Sequence, residues 1–575
     1  MTTVSGSSDT ARAVPEPGKA QLPAPNAASL LRANATDPAR ADRPAICCGD
    51  RRWTHREYYE ESCCYANLLA DRLPAGRPRH VGVLADNVAE YLFVFGGAAL
   101  IGATVVGLNH TRHGEPLLGD ITHTDCGLII TEARHVERLR PIAERTPPTL
   151  VVGESLDAAL AEVSDEDPGL EPDVDSTWAL IFTSGTSDAP KAVICSQRRL
   201  LVTGTRMGII LGLDETDVGY ICMPLFHSNA VQVGWAPSLV YGACVGLARK
   251  FSASGWLGDV RRYGATYFNY TGKPLAYILA TPERPDDADN SLRVAFGNEG
   301  SPHIVSEFAR RYGVTVLDAY GATEGGVAVN RTAESRPGTL GQVGENVRVV
   351  DEAGRDKAVA RFDDAGRLLN ADECVGEMVN TDGAGPFEGY YKNPEATEAA
   401  TRNGWYWTGD LGYLDAERNL YFAGRNADWI RVDGENFPAA PIEEALRSHP
   451  DVVLAAVYGV PDDQAGDQAM AGLVVADPDR FAIGELASWL DAQPDVGAKW
   501  RPRYVRVLLD PPTTGTNKIV KRVLVHQKWR SDRVGDDPVY VRGRGEDTYR
   551  PFTPEDEVEL CTSFAHYERD RFWDL

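Results

Sequence analysis

From residue 181 to 193 the chain reads Ile-Phe-Thr-Ser-Gly-Thr-Ser-Asp-Ala-Pro-Lys-Ala-Val, a stretch crowded with groups that can hold phosphate. Thr183, Ser184 and Thr186 bring short hydroxyls, Gly185 lets backbone N–H groups approach, and Lys191 adds a cation on a flexible stem. Residues 179–182 read as a buried strand that empties into this loop, and residues 192–195 as the strand that leaves it. It is not the G-x-x-x-x-G-K-[ST] loop, because no glycine precedes Lys191 and Ala192 follows it. Taken alone, the loop fits a Ser/Thr-rich surface turn equally well.

Four more constellations follow in order: Met223-Pro224-Leu225-Phe226-His227; Tyr320-Gly321-Ala322-Thr323-Glu324-Gly325-Gly326; Trp407-Thr408-Gly409-Asp410; and Gly424-Arg425, with Lys518 in a Thr/Gly-rich segment at 514–519. They supply an imidazole, an aromatic ring beside a hydroxyl and a carboxylate, a second carboxylate in a tight turn, and two cations. Each has a bland alternative: a core histidine, a core aromatic, a turn-capping Asp or a solvated acid.

The elements that must position these groups alternate. Apolar runs at 80–85, 127–130, 150–152, 178–182, 242–248, 294–296 and 314–317 read as strands, with helical patterns such as 87–99 and 197–211 between them; Ser196 is a natural N-cap for the latter. Continuous apolar strands spaced by helices imply an α/β domain, 25–424, of mostly parallel sheet covered by helices. Ligands of such sheets sit at the carboxyl ends of strands, where the loops after Phe182 and Leu317 lie. Residues 351–372 read as a small β excursion. The remainder, 425–575, reads as a small mobile α+β domain with a charged tail from Arg530, and residues 1–24 as a disordered tail without the apolar core of a signal peptide.

At 575 residues more than one domain is required. A net charge of −25 excludes nucleic acid as the main partner and obliges a triphosphate site to build its own positive patch. The ten cysteines show no zinc-ligand spacing, so free thiols in a cytoplasmic protein are expected. Residues 91–108 carry no charge, but four glycines interrupt them, and a buried helix running into a buried strand is expected there, not a membrane span.

In order and spacing the five constellations resemble the AMP-forming adenylating superfamily: acyl-CoA synthetases, luciferases and peptide-synthetase adenylation domains. The resemblance covers 25–550. Gly297-Asn298, Asp433-Gly434-Glu435-Asn436, residues 513–516, 537–540 and 549–553 resemble the very-long-chain acyl-CoA synthetase and fatty-acid transport protein branch and actinobacterial acyl-CoA ligases. The resemblance implies ATP and Mg²⁺, and CoA as co-substrate. It implies that Thr183, Ser184, Gly185, Thr186 and Lys191 grip the β- and γ-phosphates. Tyr320, with Asn298 and Gly321, would hold adenine; Thr323 and Glu324 would meet the α-phosphate and, with Thr186, Mg²⁺. Asp410 would take the ribose, Arg425 would reach the ribose or a phosphate, and His227 would stand by the acyl-adenylate. Lys518 would neutralise carboxylate and α-phosphate as they meet, then leave as the small domain turns about Ala427.

Asp188 replaces the loop's second glycine, costing backbone freedom and placing a negative charge near a triphosphate. Two enzyme readings stand beside a third, a nucleotide-binding protein without turnover. One is a ligase joining an aryl, steroid or fatty carboxylic acid to CoA. The other is an adenylating enzyme of actinobacterial secondary metabolism with a non-CoA acceptor, such as nitrite-dependent diazotisation of an aryl amine in antibiotic biosynthesis. A homodimer is left open.

Overall fold

The computed structural model describes residues 22–183, 191–298, 300, 302–331, 335–336, 338–363, 368–425, 429–432, 435–463, 467–493, 496, 500–514, 518–543, 545–567, 569 and 573. The α/β class holds, and the N-terminal domain has three sheets, two of them mostly parallel and one antiparallel. A six-stranded sheet is parallel through four pairings and closes on an antiparallel hairpin of Thr177–Thr183 with Lys191–Ser196. An eight-stranded sheet is parallel in its middle, where Tyr267–Thr271, Val294–Asn298 and Thr315–Gly321 run side by side. A five-stranded antiparallel sheet contains Tyr406–Leu414 and Asn419–Arg425.

The uncharged run resolves as expected into a buried helix, Ala89–Ile101, and a buried strand, Thr104–Gly107. Among the described residues no helix is long and apolar enough to cross a membrane. Gly97 shows why small residues interrupt it: a Cβ there would lie 2.7 Å from the Ala66 backbone nitrogen of the helix His55–Arg72. The helix Gln197–Leu211 starts at Ser196, whose Oγ accepts from Arg199 N at 3.0 Å. Leu22 and Ala24, read as part of the tail, pack against the N-terminal core; residues 1–21 lie outside the described set.

The smaller C-terminal domain carries a five-stranded sheet built on Val452–Pro461 and Asp467–Val475. The charged tail is integral to it. Val539–Val541 and Arg550–Pro551 extend the sheet, and Phe564 of the helix Pro554–His566 is buried. Ala276 from the N-terminal domain shares an apolar cluster with Leu454, Tyr458 and Ile519, so the two domains touch.

Candidate active site

The three sheets of the N-terminal domain converge on one place. Thr183 and Lys191 face each other at the open end of the hairpin. Ser184, Gly185, Thr186 and Asp188, between them, lie outside the described residues. The Lys191 ammonium stands 5.5 Å from the centre of the Tyr390 ring, a cation–π distance. The Tyr390 hydroxyl donates to Glu324 Oε1 at 2.8 Å, and its backbone bridges to Val193 of the hairpin. Tyr390 therefore joins the phosphate-loop lysine to the carboxylate.

Glu324 is buried and pairs with no cation among the described residues. A buried carboxylate left uncompensated is costly, so its surroundings fit a cationic ligand; a hard dication such as Mg²⁺ prefers such an oxygen. The turn that carries it is held rigidly. The Arg199 guanidinium donates to the carbonyls of Thr323 and Glu324, and to the Ile194 carbonyl at 2.8 Å. The Thr323 hydroxyl shares a 2.9 Å hydrogen bond with Ser228 Oγ.

Tyr320 reaches across to the antiparallel sheet, where its hydroxyl donates to Asp410 Oδ2 at 2.6 Å. Asp410 sits opposite Arg425 in the strand register, and its own N–H is capped by Thr408 Oγ1 at 3.0 Å. The Arg425 side chain and Ala427 lie outside what is described. Asn298 ends the strand Val294–Asn298, and its Oδ1 is buried without a partner, an acceptor suited to an N–H of a base. Gly297 beside it is forced, since a Cβ there would come within 2.2 Å of the Tyr270 carbonyl oxygen. A Cβ on Gly321, at the exposed end of its strand, would meet nothing within 4 Å.

His227 Nε2 is buried with no partner. Burial, then the nearby charges of Lys518 and His110, push its pKa down to about 3. The imidazole is thus neutral at any working pH. Lys518 belongs to the C-terminal domain, in a loop closed by its N–H to Thr514 Oγ1 at 3.1 Å and by a bridge between Thr513 and Ile519. Its charge acts on His227, so the two domains approach each other here.

Sequence reading missed Arg199 and Tyr390, whose partners lie far away in the chain. It also missed Asp86, His110 and His135, whose donor atoms lie within 4.8 Å of one another. Arg134 and Arg249, the latter 3.3 Å away, already pair with Asp86; against the upward push of burial, His135 first and then Arg134 and His110 bring its pKa down to about 2. Two guanidiniums at the carboxylate make the cluster a poor home for a metal. It instead buttresses the site: His110 packs edge-on against Phe226, 5.0 Å between centroids, next to His227.

Residues 32–391 match the AMP-binding enzyme family and residues 441–518 its C-terminal domain. The chain is 46% identical over 541 residues to the steroid-22-oyl-CoA synthetase of Rhodococcus jostii (strain RHA1), covering 92% of this chain and 96% of that one. It is 44% identical over 472 residues to the medium/long-chain-fatty-acid–CoA ligase FadD17 of Mycobacterium tuberculosis, covering 82% and 90%. The solved anthranilate CoA ligase AuaEII with anthranoyl-AMP shares the fold, with a TM-score of 0.74 at 23% identity over 86% of this chain and 95% of that one. The o-succinylbenzoate CoA synthetase of Bacillus subtilis with its acyl-adenylate gives 0.69 at 26% identity, over 88% and 99%. A match through most of the N-terminal domain and into the C-terminal one, with relatives aligned almost end to end, leaves one conclusion: the chain belongs to the AMP-binding enzyme family.

Proposed function

We propose that the acid handled here is an apolar one of the steroid side-chain or long-chain fatty type, and that the residues assembled above divide the work of activating it. The chain is an ATP-dependent, AMP-forming acyl-CoA ligase. The carboxylate attacks the α-phosphorus of ATP, pyrophosphate leaves, and the CoA thiol then displaces AMP. What supports our assignment of roles is the grouping of Lys191, Tyr390, Glu324, Tyr320 and Asp410 from three sheets, with Lys518 of the other domain near enough for its charge to act on His227.

Thr183, Ser184, Gly185, Thr186 and Lys191 take the β- and γ-phosphates in this reading. Tyr320, Gly321 and Asn298 hold the base, and Asp410 with Arg425 the ribose. Lys518 offsets the repulsion between two anions brought together in the first half-reaction, a charge aimed at the transition state. His227, being neutral, shapes the wall beside the adenylate without carrying a proton. Glu324 and Thr186 would hold Mg²⁺, which would neutralise charge on the departing pyrophosphate. The C-terminal domain, taken as 425–575 against an N-terminal 25–424, swings about Ala427 between the half-reactions.

The named relatives are CoA ligases, which supports CoA as acceptor, and nitrite-dependent diazotisation is not favoured. An apolar acid is supported by Ile210, Val233, Leu317 and Ala319, which are only partly covered and pack against one cluster next to the site. We place the enzyme in the cytoplasm, in keeping with ten unpaired cysteines, and take a homodimer as the assembly for sedimentation to test. The purified protein, ATP and Mg²⁺ with steroid, long-chain and aryl acids should release AMP in proportion to thioester, and only with CoA present. AMP release that needs nitrite and an amine, or that answers only to aryl acids, would overturn the reading.

A further inference from the structure

Arg206 is anomalous. It lies in the second half of the helix Gln197–Leu211, partly covered, and its Nε is fully buried with no hydrogen-bond partner. Among the described residues it has neither an ion pair nor a hydrogen bond, although the chain carries 83 acidic residues to 58 basic ones. The arginines buried more deeply than Arg206 are all engaged: Arg311 with Asp287 at 2.7 Å, Arg506 with Asp537 at 2.7 Å, and Arg199 with three carbonyls. Burial pulls the Arg206 pKa below the usual arginine value, and nothing nearby opposes it. A buried Nε–H left unmatched is costly, so an acceptor for it is missing.

The surroundings indicate what kind. One turn away on its own helix are Val202, Thr203, Ile209 and Ile210, with no acid among them. Ile210 shares an apolar cluster with Val233 of the facing helix Asn229–Trp235 and with Leu317 and Ala319 of the strand that leads to Tyr320. All four are partly uncovered and lie on three elements that contribute to one apolar cluster. Arg199, seven residues earlier, holds the Thr323–Glu324 turn, so Arg206 lies about 10 Å farther along the helix from the reaction centre. That distance is on the scale of a fused-ring nucleus or a medium-length chain.

We propose that Arg206 binds an acceptor oxygen at the end of the acyl group remote from the carboxylate, and so selects acids carrying a ketone, hydroxyl or second carboxylate there. Apolar walls with one placed polar group are how such pockets fix orientation, and a buried donor rejects the ligand that lacks its partner. The inference rests on the acyl-ligase reading and sharpens its substrate class.

The test uses two matched pairs of acids on the full-length enzyme. One pair is a steroid acid with and without a ketone on the ring farthest from the carboxyl; the other is a straight-chain acid with and without a terminal keto or carboxylate group. Parent, Arg206→Met and Arg206→Lys are compared in kcat/KM for thioester formation, and in equilibrium binding of each acid without ATP. The parent should prefer the oxygenated member by about ten- to a hundred-fold, as for a hydrogen bond to a charged group. Arg206→Met should erase that preference, Arg206→Lys should keep part of it, and the KM for ATP should not move. A parent without preference in the pair it accepts, or a Met variant that retains it, overturns the proposal. If only the straight-chain pair is turned over, the steroid reading fails while that pair still decides the role of Arg206.

Discussion

The Tyr320 hydroxyl donates a 2.6 Å hydrogen bond to Asp410 Oδ2 and so ties the eight-stranded sheet to the antiparallel one. The ring proposed for adenine and the carboxylate proposed for ribose are held in register before any nucleotide arrives. Tyr320→Phe keeps the ring and removes the tie. It should raise the KM for ATP about three- to ten-fold with a smaller loss in kcat, the effect of one hydrogen bond. Initial rates against ATP concentration check this, and an unchanged KM would show that Asp410 needs no help from Tyr320.

Glu324 is a buried acid that pairs with no cation among the described residues, and Tyr390 donates to it. Glu324→Gln should lower adenylate formation by about a hundred-fold or more, as for loss of a preorganised charge, and should raise the Mg²⁺ concentration for half-maximal rate. Tyr390→Phe should cost less than about ten-fold, since it removes one neutral donor. Magnesium titrations of pyrophosphate release distinguish the two. Equal effects of both variants would mean that Glu324 serves only to seat Tyr390.

The depressed His227 pKa of about 3 has a kinetic consequence. Its ionisation falls below any pH at which the enzyme is assayed, so it contributes no limb to the rate profile from pH 5 to 9. The profile of the His227→Asn variant should have the parent's shape at a lower level. A limb near pH 6.5 present in the parent and absent in the variant would show that His227 exchanges a proton after all.

Asp120 gives a stability prediction away from the site. Both its oxygens are buried without hydrogen bonds, Arg112 is 3.1 Å away, and burial raises its pKa from 3.8 to about 6. A carboxyl with a raised folded-state pKa stabilises when protonated, and that contribution is lost as pH rises through 6. A shift of this size corresponds to about 3 kcal/mol at neutral pH. Asp120→Asn should therefore melt higher than the parent at pH 7.5, with the gap closing below pH 6. A variant equally destabilised at both values would mean the Arg112 pair outweighs burial.

What could be read from the residues was local or repetitive. The two strands on either side of residues 184–190, the helix capped by Ser196 and the helix–strand transition in the uncharged run all follow from periodicity and short-range hydrogen bonding. Continuous apolar strands look alike whichever sheet receives them, so mostly parallel sheets could be expected but not how the strands divide among three. The clamp of Arg199 on Glu324 spans 125 positions and the bond from Tyr390 spans 66. No spacing rule reaches so far, because those pairings are set by how the sheets meet. Arg206 fits the pattern of an amphipathic helix with an exposed charge, and only its missing partner in three dimensions sets it apart.

The central claim is that ATP is cleaved at its α-phosphorus in a cleft shared by both domains. ATP labelled at the α-phosphate, incubated with a steroid or long-chain acid, CoA and the parent enzyme, should yield one labelled AMP per thioester. Lys518→Ala should yield almost none, while still making thioester from acyl-adenylate supplied ready-made. Labelled ADP from the parent, or full AMP production by Lys518→Ala, would contradict the account.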